Sequence, residues 1–226
     1  MLLSIPKVLS SAQVGECRAA LEGAEWTDGK ATAGYLSSRA KNNAQVPEGH
    51  PVARRLGDLI LDALDQNPLF ISAALPLKVV PPLFNRYSGG QAYGDHIDGA
   101  VRPVPGGRHR VRTDLSATLF LSEPAEYDGG ELIVGGRFEE QRIKLAAGDM
   151  VLYPGGSVHR VEPVTRGARI AAFFWVESMV RDEAKRDILF EHDSALQELG
   201  RTGADHASVV RLAGVYHNLL RLWADT

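Results

Sequence analysis

The chain reads as an α+β protein: a double-stranded β-helix, or jelly roll, preceded by helices and closed by a helical cover. Three observations carry that reading. Short apolar or alternating runs, broken by Gly, Pro and Asp, follow one another from residue 77 to residue 179; helical periodicity stands before them and returns after Arg181. The expected divisions are 1–76 as a helical and strand support, 77–179 as the jelly-roll core and 180–226 as a helical extension.

Ser10 with Gln13 forms a capping-box pattern that opens a short helix through Cys17 and Leu21. Val52, Leu56, Ile60 and Leu64 recur at helical spacing between Pro51 and Pro68, which predicts a second. Thr27 to Gly49 is polar and rich in Gly, Ala, Ser and Asn, so it is either a surface excursion or a pair of edge strands. The runs Leu77–Tyr87, Leu115–Leu121, Glu131–Val134, Arg142–Leu145, Met150–Tyr153 and Arg169–Val176 are expected strands of a roll of about eight, with turns at Ser88–Gly90, Asp128–Gly130, Gly135–Gly136, Gly148–Asp149 and Pro154–Gly156. In the tail, Ile188, Leu196 and Leu199, then Val209, Leu212, Tyr216, Leu219 and Trp223, mark the apolar faces of covering helices.

Composition bounds the function. With 226 residues, 44% hydrophobic and 23% charged, the chain is long enough for one sizeable core. A net charge of -3 offers no overall basic field for nucleic acid. One cysteine, Cys17, excludes an internal disulfide and a Cys-rich metal site, and a reducing compartment fits it. The first nine residues lack a signal-peptide pattern, and the most apolar window, Leu69 to Phe84, is interrupted by Lys78 and three prolines. A cytoplasmic protein without membrane or nucleic-acid partners is expected.

The chemistry starts at His96-Ile97-Asp98. In a strand, residues i and i+2 share a face, so an imidazole and a carboxylate stand side by side. Such a pair arises by chance and is weak alone. Gly148 to His159 reads as turn, short apolar strand, tight turn and a histidine opening the next strand, which can return a third ligand. Ten residues later, Arg169 opens the apolar run Ile170–Trp175, where a guanidinium needs an anion to justify burial. Two imidazoles and a carboxylate leave open positions on an octahedral ion, as in non-haem Fe(II) oxygenases. With Arg169 as a bidentate anchor for a dicarboxylic cosubstrate, the four residues describe a 2-oxoglutarate site.

The segments Phe84–Tyr87, Tyr93–Asp98, Asp114–Leu121, Tyr127–Leu132, Gly148–Pro154, Pro163–Arg169 and Phe173–Trp175 resemble the bacterial PKHD-type hydroxylases, Fe(II)/2-oxoglutarate dioxygenases of the prolyl 4-hydroxylase-like superfamily that include the iron-uptake-associated PiuC group. The resemblance extends upstream to Trp26–Gly34 and Lys41–Gln45 and downstream through Ser178–Asp182 and the tail. It implies Fe(II) at His96, Asp98 and His159, 2-oxoglutarate at Arg169, and a cosubstrate contact from Tyr87. It further implies O2 as co-reactant, ascorbate as an iron reductant, and a substrate that is a siderophore, small metabolite or peptide; a homo-oligomer is compatible with it. Related halogenases replace the triad carboxylate with a small residue, so Asp98 favours hydroxylation, or another oxygenase outcome, over halogenation.

Two rival readings stay open. Gly148, Pro154, Gly156 and His159 match the second cupin motif, although the residues after Asp98 lack the first motif's carboxylate. A non-enzymatic jelly roll sensing iron or 2-oxoglutarate would keep the same four residues. The stretch 99–112 holds Arg102, Arg108, Arg110, Arg112 and His109, and is read either as a solvated loop or as a lid and anion-selecting edge, with Lys41, Asn42 and Asn43 at the same mouth. His50, His192, His206 and His217 are expected to be surface or packing residues, Cys17 an inert buried thiol, and Phe173 and Trp175 core.

Overall fold

The computed structural model describes residues 1–32, 34, 37–104, 110–136 and 139–226. Arg108 and His109 of the basic stretch lie outside the described residues. In chain order the strands are β1 (Leu3–Ile5), β2 (Thr27–Asp28), β3 (Lys41–Asn42), β4 (Ala44–Gln45), β5 (Pro76–Val79), β6 (Leu83–Ser88), β7 (Ala92–His96), β8 (Val101–Pro103), β9 (Arg110–Arg112), β10 (Leu115–Phe120), β11 (Tyr127–Gly129), β12 (Leu132–Gly135), β13 (Glu140–Ile143), β14 (Met150–Pro154), β15 (His159–Val161) and β16 (Val164–Ser178). The helices are α1 (Ser11–Glu22), α2 (Ser37–Ala40), α3 (Pro51–Asp65), α4 (Pro68–Ala74), α5 (Glu183–Arg201) and α6 (His206–Trp223).

Two antiparallel sheets make the roll. The major sheet runs β1-β14-β10-β16-β6-β4-β2 and the minor sheet β13-β12-β15-β7-β3. Their centres, β14-β10-β16-β6 and β13-β12-β15-β7, supply the eight strands of the expected jelly roll. The Thr27–Gly49 segment settles as edge strands: β2 and β4 extend the major sheet, and β3 pairs with β7 in the minor one.

Strand alternation explains why the major sheet is buried on both faces. Leu115, Ala117 and Leu119 of β10, Met150 and Leu152 of β14, and Ala172, Phe174 and Val176 of β16 pack outward against Val14, Cys17 and Leu21 of α1, Leu56, Ile60 and Leu64 of α3, and Phe70 of α4. The intervening Phe120, Val151 and Tyr153 point inward and meet Leu132, Val134, Ile143 and Val161 of the minor sheet. The capping box at Ser10 forms as expected, with Gln13 N–H donating to Ser10 Oγ at 3.3 Å and Ser10 N–H to Gln13 Oε1 at 2.9 Å.

Three boundaries differ from the sequence reading. The run from Leu77 to Tyr87 is two strands, because Pro81 and Pro82 interrupt the ladder between β5 and β6. β16 begins at Val164, so Arg169 sits inside the strand instead of opening it. In the tail, Tyr216, Leu219 and Trp223 pack against Leu75, Val180 and Leu189, whereas Leu212 is 40% exposed. The tail is tied to α4 by Ser72 Oγ donating to Asp193 Oδ2 at 2.6 Å, and it covers that helix and the end of β16.

Candidate active site

The jelly roll brings His96, Asp98 and His159 together at its mouth. His159 and His96 are direct cross-strand partners on β15 and β7, so pairing alone sets their rings side by side, with centroids 4.1 Å apart. Asp98 departs from the expected strand geometry: β7 ends at His96, and Asp98 lies just beyond it. Its placement comes from Ser116 of β10, whose Oγ donates to Asp98 Oδ2 at 2.7 Å. One ligand atom from each of the three residues lies within 4.8 Å of the others, and His159 Nε2 is 3.7 Å from Asp98 Oδ2.

The histidines are prepared for a cation. His96 Nδ1 lies 2.8 Å from Gly94 O, and His159 Nδ1 lies 3.0 Å from Ser157 O. A carbonyl oxygen only accepts, so each neutral ring carries its proton on Nδ1 and offers the Nε2 lone pair. Tyr93 stacks on His96 with centroids 3.5 Å apart and planes inclined by 13°, which fixes the ring. Burial, reinforced by His159, pushes His96 down to about 4, so its imidazole stays neutral at physiological pH. Two imidazoles and one carboxylate, with positions left open, suit a divalent transition metal.

Deeper along β16 stands Arg169, 1% exposed and held over the rings of Phe120 and Tyr87 at 5.1 and 5.5 Å. Arg169 and Tyr87 are cross-strand partners, which accounts for the contact. Arg169 Nε and Nη1 are buried without a hydrogen-bond partner, as is the hydroxyl of Tyr127. Orphaned donors on a buried cation are costly. A carboxylate from outside the chain would satisfy them, which is the fit expected of a dicarboxylic cosubstrate. Burial pushes the Tyr87 phenol up to about 12, leaving it a neutral hydrogen-bonding group.

His96, Asp98, His159, Arg169 and Tyr87 all line one cleft with about 710 Å³ of empty space, counting the part open to solvent. Other walls were not legible as such. Ser116, Thr118 and Tyr153 face the cleft by the alternation that sends their neighbours to the core, and Asn85 does so on β6. Phe173 and Trp175 pack in a core cluster with Val80, Leu83 and Val111, as expected, and they also line the cleft because they share the inward face of β16 with Arg169. Lys41 lines it as well, whereas Asn42 and Asn43 are absent from its walls. His50 serves as a helix cap, accepting the Val52 N–H at 3.2 Å. Among the described residues no helix is long and apolar enough to cross a membrane.

Comparison with known proteins follows the same lines. Residues 82–177 match the family model of the 2OG-Fe(II) oxygenase superfamily, and residues 183–225 match that of the PKHD-type hydroxylase C-terminal domain. The chain is 59% identical over 227 residues to a PKHD-type hydroxylase of Methylobacillus flagellatus, covering all of both chains. It is 58% identical over 225 residues to the PKHD-type hydroxylase PiuC of Pseudomonas aeruginosa, again at full coverage. Among solved structures, a Pseudomonas putida prolyl-4-hydroxylase superposes with a TM-score of 0.53 at 20% identity, over 78% of this chain and 92% of that one. HygX from Streptomyces hygroscopicus, solved with nickel, 2-oxoglutarate and hygromycin B bound, gives 0.53 at 19% identity, over 78% and 82%. Similarity at that level concerns the fold.

Proposed function

The chain belongs to the PKHD-type hydroxylases of the 2OG-Fe(II) oxygenase superfamily and is an Fe(II)/2-oxoglutarate dioxygenase, and from that premise we propose that His96, Asp98 and His159 hold the iron while Arg169 and Tyr87 hold 2-oxoglutarate. The observation that carries the assignment is the convergence of one ligand atom from each of His96, His159 and Asp98 within 4.8 Å, next to a buried arginine with unpartnered donors. When bound, iron and 2-oxoglutarate together activate O2 for oxidation of a substrate C–H bond, 2-oxoglutarate being converted to succinate and carbon dioxide.

The protein's own residues orient, charge-match and exclude. Gly94 O and Ser157 O keep the two Nε2 lone pairs aimed inward, and Ser116 keeps one carboxylate oxygen of Asp98 from turning away. Arg169 fixes the far carboxylate of the cosubstrate, and the Phe120 and Tyr87 rings hold the guanidinium for it. Asp98 fills the position that related halogenases open, which favours hydroxylation, or another oxygenase outcome, over halogenation. Residues 77–179 form the dioxygenase core, with 1–76 supporting it and 180–226 extending it. Ascorbate restores Fe(II) after unproductive turnovers, and the setting is the reducing cytoplasm. The substrate is a small metabolite, peptide or siderophore, the last in keeping with the likeness to PiuC.

Succinate formation tests the reading. Wild-type protein should convert 2-oxoglutarate to succinate only when given Fe(II) and O2, and His159→Ala should not. Metal and 2-oxoglutarate binding with no turnover across a broad substrate set would favour a sensor, and turnover that ignores 2-oxoglutarate would favour a cupin-type enzyme.

A further inference from the structure

The cleft has a second polar end that the iron and cosubstrate do not use. Arg169 and Trp175 lie on the same face of β16, six residues apart, which at roughly 3.3 Å per residue separates them by about 20 Å. Trp175 pairs across the sheet with Ser116, the residue that holds Asp98. Asp98, and with it the candidate metal cluster, therefore sits on the Trp175 side of Arg169. What lies beyond the metal is open to a substrate.

That end is built from cations and aromatic surfaces. Lys41 is 4% exposed, and its Nζ donates to Thr32 Oγ1 and Gln45 Oε1, each at 3.0 Å. Both partners are neutral. The ammonium stands 5.5 Å from the Tyr93 ring centroid and 5.7 Å from that of Phe173. Arg102, just past Asp98, lays its guanidinium 4.0 Å from the Trp175 ring centroid and touches one carboxylate, Glu48, at 3.2 Å. Arg102 Nε and Trp175 Nε1 are buried and unpartnered. Ile97, 54% exposed between the two ligands His96 and Asp98, adds an apolar lip.

The Lys41 ammonium is buried on neutral hydrogen-bond partners; Asp98, Asp28 and Glu48 favour its charge only through space, and burial and the nearby Arg102 guanidinium outweigh them. Burial first, and then the Arg102 charge, push Lys41 down to about 8. An anion placed between the two cations would relieve both costs and satisfy the unused donors. We propose that Lys41 and Arg102 form a carboxylate-binding substrate subsite, with Phe173 and Trp175 flanking the body of an anionic substrate whose C–H bond is thereby presented to the metal. The subsite rests on the placement of iron and 2-oxoglutarate given above. It makes Lys41 and Arg102 specificity-determining residues for an acid, and it predicts that a neutral analogue is rejected because the donors are left unpaired.

The test uses 4-fluorophenylacetate and its neutral isostere 4-fluorophenylacetamide, titrated by ¹⁹F NMR into full-length protein loaded with Zn(II) and 2-oxoglutarate. The acid should bind saturably and the amide at least about tenfold more weakly, a comparison that requires no variant. Lys41→Met and Arg102→Gln should each weaken the acid by about tenfold to a hundredfold, the range of one charge-assisted hydrogen bond, and Lys41→Arg should restore most of the binding. The affinity for 2-oxoglutarate, measured separately by calorimetry, should stay within about twofold in all three. Equal binding of acid and amide, no saturable binding of the acid, or variants that weaken 2-oxoglutarate in place of the acid overturn the subsite while leaving the oxygenase assignment standing. Wild-type protein that fails to bind 2-oxoglutarate removes that assignment and the subsite with it.

Discussion

Replacing Arg169 with Met keeps most of the side-chain volume but removes the charge and the two unpartnered donors, Nε and Nη1. A far carboxylate of 2-oxoglutarate seated on one edge of the guanidinium, Nη2 with either Nε or Nη1, accepts two charge-assisted hydrogen bonds, each contributing about 1.5–3 kcal/mol. Their loss amounts to about 3–6 kcal/mol, and at about 1.4 kcal/mol per factor of ten the dissociation constant rises by about 10² to 10⁴. Anaerobic calorimetry of 2-oxoglutarate into the Fe(II)-loaded protein measures this directly. Pyruvate, which keeps the 2-oxo acid but lacks the far carboxylate, should bind wild type and Arg169→Met alike, so the effect is tied to one end of the cosubstrate. The ligand-free variant should melt no lower than wild type, because an uncompensated buried cation has been removed from between two aromatic rings. An Arg169→Met protein that binds 2-oxoglutarate within about threefold of wild type would refute the anchoring role.

Three further outcomes rest on other parts of the site and core. Ser116→Ala frees Asp98 from its 2.7 Å hydrogen bond and should lower metal affinity by about 10- to 100-fold without changing urea stability of the metal-free protein; unchanged metal affinity would show that Asp98 needs no such support. His96 is held down at about 4, below its ordinary value, so the unfolded chain binds the extra proton first as pH falls. Metal-free wild type should therefore lose stability between about pH 6.5 and pH 4 relative to His96→Asn, read as urea midpoints, and parallel midpoints would exclude the shift. Cys17, fully buried and pushed up to about 11, should resist iodoacetamide at pH 8 in the native protein and react after unfolding in urea; rapid native alkylation would contradict its burial.

The roll and the meeting of His96, Asp98 and His159 were legible because their signals are local. Turn residues punctuate the strands, and His96-x-Asp98 followed by the turn before His159 reads as two ligands and a returning third. The helix at 51–65 follows from one unbroken 3.6-residue repeat. What escaped depends on long-range pairing. Nothing around Lys41 marks it as buried, since its position is set by β3 pairing with β7, where Lys41 lies opposite Tyr93. Ser116 lies in a run, LSATLF, that looks like plain core; only the helical layer on one side and the cleft on the other show why Leu115, Ala117 and Leu119 differ in task from Ser116 and Thr118. Trp175 and Phe173 do pack in the core, and the cleft face they also present was hidden for the same reason. A strand buried on both faces gives no polar alternation to reveal which side carries the chemistry.

The assignment of iron to His96, Asp98 and His159 is tested most directly by anaerobic addition of 2-oxoglutarate to the Fe(II)-loaded protein. Wild type should develop the weak visible charge-transfer band of an iron-chelated 2-oxo acid, and Asp98→Ala, folded to the same extent, should not. A wild-type protein that holds its metal yet shows no band, or an Asp98→Ala protein with an undiminished one, would contradict the site as built here.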